Sequence, residues 1–271
     1  MSIPYNLLNI KISTKGMSDI ITQISDWIYC KNYSNQIIVA NTHVLMESQK
    51  NKELMSAINQ AAIIIPDGMP LVFFGKIRGF PRLQRCDGPN LLIETLQLST
   101  INEWNHFFYG STPEVLSKLQ EEIINKYPQI KICGTFSPPF KPQTPAEIQA
   151  DIDRINAAQP DILWVGLGCP KQEIWIYQHK NQLKVPAILG VGLAFDILAG
   201  NKKRAPVWMQ KSGLEWLYRF FQEPGRLWKR YLKYNTQFLF FATIEQFEYW
   251  WKLLRGKITN QINKEAKSTQ D

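Results

Sequence analysis

Apolar residues in this chain fall into two alternating patterns. Short unbroken runs, at 36–40, 63–65, 106–109, 129–134, 161–166 and 185–190, read as strands buried on both faces, the kind found inside a parallel sheet. Between them, apolar positions recur at helical spacing, as in Ile20, Ile21, Ile24, Trp27 and Ile28 within 16–29. A further strand is expected at 7–12, and further helices from Val44, over 71–75, 91–98 and 113–127, ending at Ala158, and after Lys171. Strands alternating with helices imply an α/β, Rossmann-like, mostly parallel sheet flanked by helices, with right-handed crossovers. Two helices, 214–221 and 227–255, follow a break at Glu223-Pro224-Gly225 and predict a helical C-terminal appendage. The expected division is a catalytic α/β body over 1–200, an appendage over 201–256, and a frayed polar tail over 257–271.

In an open α/β sheet, ligands sit beyond the carboxyl ends of the strands. Two polar residues occupy such ends: Asn41 after 36–40, and Asp67 after Ile63-Ile64-Ile65-Pro66. Asp67 serves equally well as a carboxylate on a cleft floor or as a turn and helix cap. Thr42 is positioned to cap the helix that follows Asn41. A third strand end runs Gly166-Leu167-Gly168-Cys169-Pro170-Lys171-Gln172, a glycine turn leading into a helix start, a geometry that binds anions such as phosphates. It is neither a complete dinucleotide fingerprint nor a P-loop, and a tight turn using glycine for φ > 0 accounts for it too. Asp151-Ile152-Asp153 spells a metal-binding triplet, but it lies in a helical pattern that sends neighbours two apart to different sides. The three histidines are far apart, so no metal site is expected from them.

Composition adds a polarity to this layout. Residues 1–200 hold 17 Lys+Arg and 17 Asp+Glu, whereas residues 201–271 hold 14 and 6, together with 15 of the 33 aromatics. A neutral body thus carries a basic, aromatic tail, whose expected partner is anionic: an acidic membrane surface or nucleic acid. Four scattered cysteines with no Cys-x-x-Cys pair suit a reducing cytoplasm. Neither a signal peptide nor a run of 18 apolar residues is visible, so no spanning helix is expected.

Taken in order, Ala40-Asn41, Pro66-Asp67-Gly68, Arg85-x-x-Gly88, Gly166-Leu-Gly-x-Pro-Lys-Gln-Glu173, Gly190-Val-Gly192-x-x-Phe-Asp196, Ala199-Gly200, Arg204-Ala-Pro206, Gly213-Leu-Glu-Trp-Leu-Tyr-Arg219 and Glu223-Pro-x-Arg226 resemble the bacterial glycosyltransferases of family 26 (WecG/TagA/CpsF) over residues 7–235. The resemblance implies an inverting transfer, without metal or other cofactor, from a UDP-sugar of N-acetylmannosamine type, or a related hexose or uronate, to a polyprenyl-diphosphate-linked acceptor. It implies a peripheral enzyme on the inner face of the plasma membrane, able to form a homo-oligomer, with no nucleic-acid partner. Carried over, Asp67 is the general base. Gly166, Gly168, Pro170, Lys171 and Arg85 hold the leaving diphosphate, Asn41 and Gln172 orient sugar hydroxyls, Thr42 is a neighbouring candidate, and Asp196 contacts the nucleotide. Arg219, Arg226 and Arg230 meet the lipid diphosphate. Two positions depart from the family pattern: Asn90 stands where an Asp is usual, and Val39 where a Thr is frequent. A nucleic-acid-binding α/β protein is the alternative from another class, and a nicotinamide-dependent dehydrogenase a weaker third.

Overall fold

The computed structural model describes residues 3–268, with the side chains of Arg226 and of 256–268 outside that description. In chain order the elements are β1 (Tyr5–Leu7), β2 (Ile10–Ile12), α1 (Met17–Tyr29), β3 (Asn35–Ala40), α2 (Thr42–Ser48), α3 (Lys52–Asn59), β4 (Ile63–Pro66), α4 (Met69–Ile77), α5 (Gly88–Asn102) and β5 (Asn105–Gly110). There follow α6 (Pro113–Lys126), β6 (Lys131–Phe136), α7 (Pro145–Ala158), β7 (Ile162–Gly166), α8 (Lys171–His179), β8 (Ala187–Gly190), α9 (Leu193–Leu198), α10 (Val207–Lys211), α11 (Glu215–Gln222) and α12 (Pro224–Ser268).

Six strands form one parallel sheet in the order β4-β3-β8-β7-β5-β6. Successive residues of a strand face opposite ways, and here both faces are covered. Ile37, Val39, Ile63 and Ile65 pack with α1, α5, α6 and α9. Ile38, Ala40 and Ile64 pack with the N-terminal hairpin, α2 to α4 and the α12 residues Phe238 and Ala242. Farther along that second face, Phe107, Leu163, Val165 and Ile188 pack with α7 and α8. This double burial is why the strands read as continuous apolar runs.

Three expectations change. The strand at 7–12 is a hairpin, Leu7 pairing with Ile10 across a two-residue turn in which Leu8 and Asn9 have φ of 53° and 62°. Such a turn matches strand twist but usually recruits glycine, which is absent here. Asn41, not Thr42, caps α2: its Oδ1 accepts from the N–H groups of His43 (3.1 Å) and Val44 (3.2 Å). Helix α12 starts at Pro224 and continues to Ser268, through most of the segment expected as a polar tail; residues 269–271 lie outside the described residues.

Helix α12 is tied to the body by polar bonds along its length. Thr42 Oγ1 donates to Asn235 Oδ1 (2.8 Å), Tyr234 Oη to Glu47 Oε2 (2.6 Å), and Arg78 Nε to Gln246 Oε1 (2.9 Å). The Leu8 N–H, at the hairpin turn, donates to Glu245 Oε2 (2.6 Å). Its outward side carries Phe240, Phe247, Trp250 and Trp251, all exposed. Among the described residues no helix is long and apolar enough to cross a membrane.

Candidate active site

The site grows from the ends of β3 and β4. The Asp67 N–H donates to the Ala40 carbonyl (2.8 Å), which fixes the end of one strand against the other. Gly68 follows as the N-cap position of α4, where a Cβ would stand in ordinary contact, 3.4 Å, with Asn41 Cα. These contacts set the Asp67 side chain, 21% exposed, into a cavity of about 550 Å³ bounded by the strand ends, α4, α11 and α12. Asn41, Thr42, Arg85, Arg219 and Arg230 line the same cavity, as do His43, Glu215 and Tyr234.

Arg85 organises the floor. Its Nη2 donates to Asp67 Oδ1 (2.8 Å), its Nε to the Asp67 backbone carbonyl, and its Nη1 to Glu215 Oε2 (2.6 Å). Burial works against its charge, but the carboxylates of Asp67, Glu215 and Asp87 outweigh that and hold it firmly protonated. Glu215 also lies 3.9 Å from Arg204 Nε, and Arg204 Nη2 pairs with Asp87 Oδ1 (2.7 Å). The result is an alternating chain of charges, Asp67–Arg85–Glu215–Arg204–Asp87, that joins the body to the appendage. Asn90 belongs to it: its side chain donates to Asp87 Oδ2 (2.8 Å) and accepts from Arg204 Nη1 (2.7 Å). An ionised aspartate at this position has no donor for Asp87, so the asparagine suits an Asp87 whose carboxyl is already pushed up by burial. His43 is pushed down to about 4 by burial and then by the Arg230 charge, so it stands neutral at physiological pH beside an edge-on Tyr234 ring.

The glycine turn occupies a separate part of the same sheet edge. Strand β8 lies between β3 and β7, so β4 and β7 are three inter-strand spacings apart, roughly 14 Å. Gly168 has φ of +77° with open space around it, Pro170 precedes α8, and Lys171 is exposed at the helix start. Gly166 is hemmed by the Phe195 ring, which a Cβ would approach to 2.6 Å. None of these four lines the Asp67 cavity, nor does Asp196, whose backbone carbonyl receives the N–H groups of Asn201 and Lys202.

Gln172 differs from its expected place. It is buried, and its Oε1 accepts from the Gly168 N–H (3.1 Å) while its Nε2 donates to Glu173 Oε1 (2.8 Å). It braces the turn from beneath rather than facing a sugar, and the Gly168 N–H is turned inward to it. Glu173, fully buried, has its carboxyl pushed well up by burial. A raised native value means that the unfolded chain, with an ordinary value of 4.5, loses this proton first as pH rises, so stability is full below that value and declines above it. Glu173→Gln is therefore expected to gain stability over the parent as pH climbs from 5 to 8, by at most about 1.4 kcal/mol per pH unit. Thermal melts of both proteins across that range check this; a constant difference refutes it.

Among the described residues, no group of three or more His, Cys, Asp and Glu side chains is placed to hold a metal ion. Asp151 is used inside the protein, accepting from Tyr109 Oη and Gln143 Nε2, both at 2.8 Å. The side chain of Arg226 lies outside the described residues.

No spacing or motif chemistry in the sequence assigns Glu215, Arg204 or Asp87 a role, although all three stand in or beside the arginine-bearing motifs. An acid inside Gly213-Leu-Glu-Trp was the available signal.

A parallel α/β sheet with a carboxylate, an arginine and a helix start at its carboxyl edge has its side chains gathered where open α/β folds bind their ligands. The chain belongs to the Glycosyl transferase WecG/TagA/CpsF family, whose model matches residues 5–252, and it is a glycosyltransferase. It is 32% identical over 206 residues to a protein of Bacillus spizizenii, covering 75% of this chain and 78% of that one. It is 30% identical over 226 residues to one of Staphylococcus aureus strain MW2, covering 83% and 85%. Both relatives are named N-acetylglucosaminyldiphosphoundecaprenol N-acetyl-beta-D-mannosaminyltransferase. The matched span runs through α11 and most of α12, so the basic aromatic segment is part of the transferase.

Proposed function

We propose that this enzyme moves an N-acetylmannosamine-type sugar from a UDP donor to N-acetylglucosamine carried on a polyprenyl diphosphate, with inversion and without a metal ion. The observation that carries the reading is Asp67 in a cavity that Arg219 and Arg230 also line. The acceptor hydroxyl gives its proton to the Asp67 carboxylate as its oxygen attacks the anomeric carbon from the face opposite UDP. Negative charge then grows on the departing diphosphate. The positive end of α8, Lys171 and the Arg85 guanidinium answer it, and Gln172 keeps the turn in shape. Asn41, whose oxygen is used in capping, has its amide N–H groups for a sugar hydroxyl. The donor lies across the strand ends from β7 to β4. Arg219 and Arg230, with Arg226 between them in sequence, take the acceptor diphosphate, for which a planar fork of donors is well suited. The exposed aromatic side of α12, with Lys229 and Lys233 before it and Lys252 after it, rests on the anionic inner face of the plasma membrane.

The test is incubation with UDP-N-acetylmannosamine and an N-acetylglucosamine-diphosphate lipid, with and without EDTA. One UDP is expected per disaccharide-lipid formed, with the anomer reversed and the rate unchanged by the chelator. Retention of configuration, or loss of rate on chelation, counts against the mechanism. Binding to anionic liposomes should exceed binding to RNA; the reverse would favour a nucleic-acid role for the tail.

A further inference from the structure

The Asp67 cavity is built from two chemistries, and a nucleotide sugar needs only one of them. Its strand-end side is polar and charged. Its other side is a wall of Phe73 and Phe74 from α4, Trp216 from α11, and Phe238 and Leu239 from α12. Three of these stand open although they converge from three elements: Phe73 is 58% exposed, Trp216 47% and Leu239 54%. Apolar side chains gathered around one opening mark a binding surface.

The order of residues along α12 gives the wall a direction. Arg230, Tyr231, Tyr234, Asn235, Phe238 and Leu239 share the face that lines the cavity. At 1.5 Å per residue they run about 13 Å from cation to hydrocarbon. Beyond Leu239 the exposed Phe240, Phe241 and Phe247 continue the apolar surface toward the outer side of the helix.

We propose that this wall is a subsite for the isoprene units next to the diphosphate of the acceptor, so that the enzyme grips the lipid's hydrocarbon as well as its head. The inference rests on the function proposed above. Charge and apolarity match the substrate in sequence: hydroxyl at Asp67, diphosphate at Arg219 and Arg230, then isoprene against Phe73, Trp216 and Leu239, with Phe238 buried behind them. The cavity length along α12 accommodates on the order of two isoprene units. A bilayer alone then does not supply all of the lipid's binding; part of it is made inside the protein.

Soluble acceptors test this without any membrane. N-acetylglucosamine diphosphates ending in a methyl, a geranyl or a farnesyl group are compared below their micelle concentrations. In the parent, kcat/KM is expected to rise at least about tenfold from methyl to geranyl, since burying even two or three CH2 groups is worth that much, and to change little from geranyl to farnesyl. Phe73→Ser and Leu239→Ser, at exposed positions where folding is not at stake, should bring the geranyl-to-methyl ratio down toward one. Trp250→Ser, outside the cavity, should keep the parental ratio. A flat series with transfer intact, or a ratio indifferent to Phe73 and Leu239, overturns the subsite alone. Failure of transfer to all three acceptors overturns the functional reading, and the subsite with it.

Discussion

Asp67→Asn is expected to lower kcat by two to four orders of magnitude, the usual worth of a positioned general base, while the KM for each substrate moves only a few fold. Asparagine is the same size and keeps an oxygen for Arg85 Nη2, and the Asp67 carbonyl still receives Arg85 Nε. Arg85 also keeps its bond to Glu215, so the cavity should stand. What disappears is the capacity to accept a proton. Loss of the carboxylate also frees part of the Arg85 charge for diphosphate, so any change in KM should be toward tighter binding. Steady-state kinetics with a melting curve of the variant decide the matter. Transfer at the parental rate would remove Asp67 from the role of base, and a collapse of the melting temperature would make the loss one of folding.

The sheet was legible because its chemistry is local. Ile63-Ile64-Ile65 and Ile37-Ile38-Val39 are short, β-branched runs that read as strands buried on both sides, and each is followed by a polar residue that the fold places at the carboxyl edge. The glycine turn was legible for the same reason, since Gly168 adopts the left-handed conformation that its position demands. The hairpin was hidden because Leu8 and Asn9 carry a turn ordinarily marked by glycine. Thr42 and Asn41 are both good caps, and only the backbone geometry, with Asn41 extended and Thr42 already helical, chooses between them. Gln172 carries no sign in the sequence of pointing inward; space left by Gly190 and Gly192 receives it, as a Cβ at Gly190 would come within 2.9 Å of its Nε2. The ion chain was least visible. Arg85 and Glu215 are separated by 130 residues, Asp87 and Arg204 by 117, and no spacing rule connects them. Their pairing is decided by where the appendage docks.

That docking gives the second large effect. Arg85→Ala is expected to destabilise the protein by about 3 kcal/mol, because it leaves Asp67 and Glu215 facing one another in a poorly solvated cavity with their shared cation gone. The side chains of Arg85, Asp67 and Glu215 are 18%, 21% and 10% exposed, which places the loss at the lower end of the range for broken buried pairs. For a chain of this size that corresponds to a fall in Tm of roughly 6–12 °C. Transfer should fall as well, since the same guanidinium answers the leaving diphosphate. Lysine is not expected to rescue it: one ammonium cannot reach two carboxylates and a backbone carbonyl with the fixed fork that Arg85 uses. A double substitution separates this account from simple loss of packing. If the penalty arises from carboxylates stranded without their cation, Glu215→Ala added to Arg85→Ala should cost less than the sum of the two single changes, by 1 kcal/mol or more on the scale of close charged pairs. Denaturant titration of the four proteins measures that coupling. Additive losses would mean that Arg85 and Glu215 stabilise the appendage independently, and the alternating chain would then be an arrangement without energetic consequence.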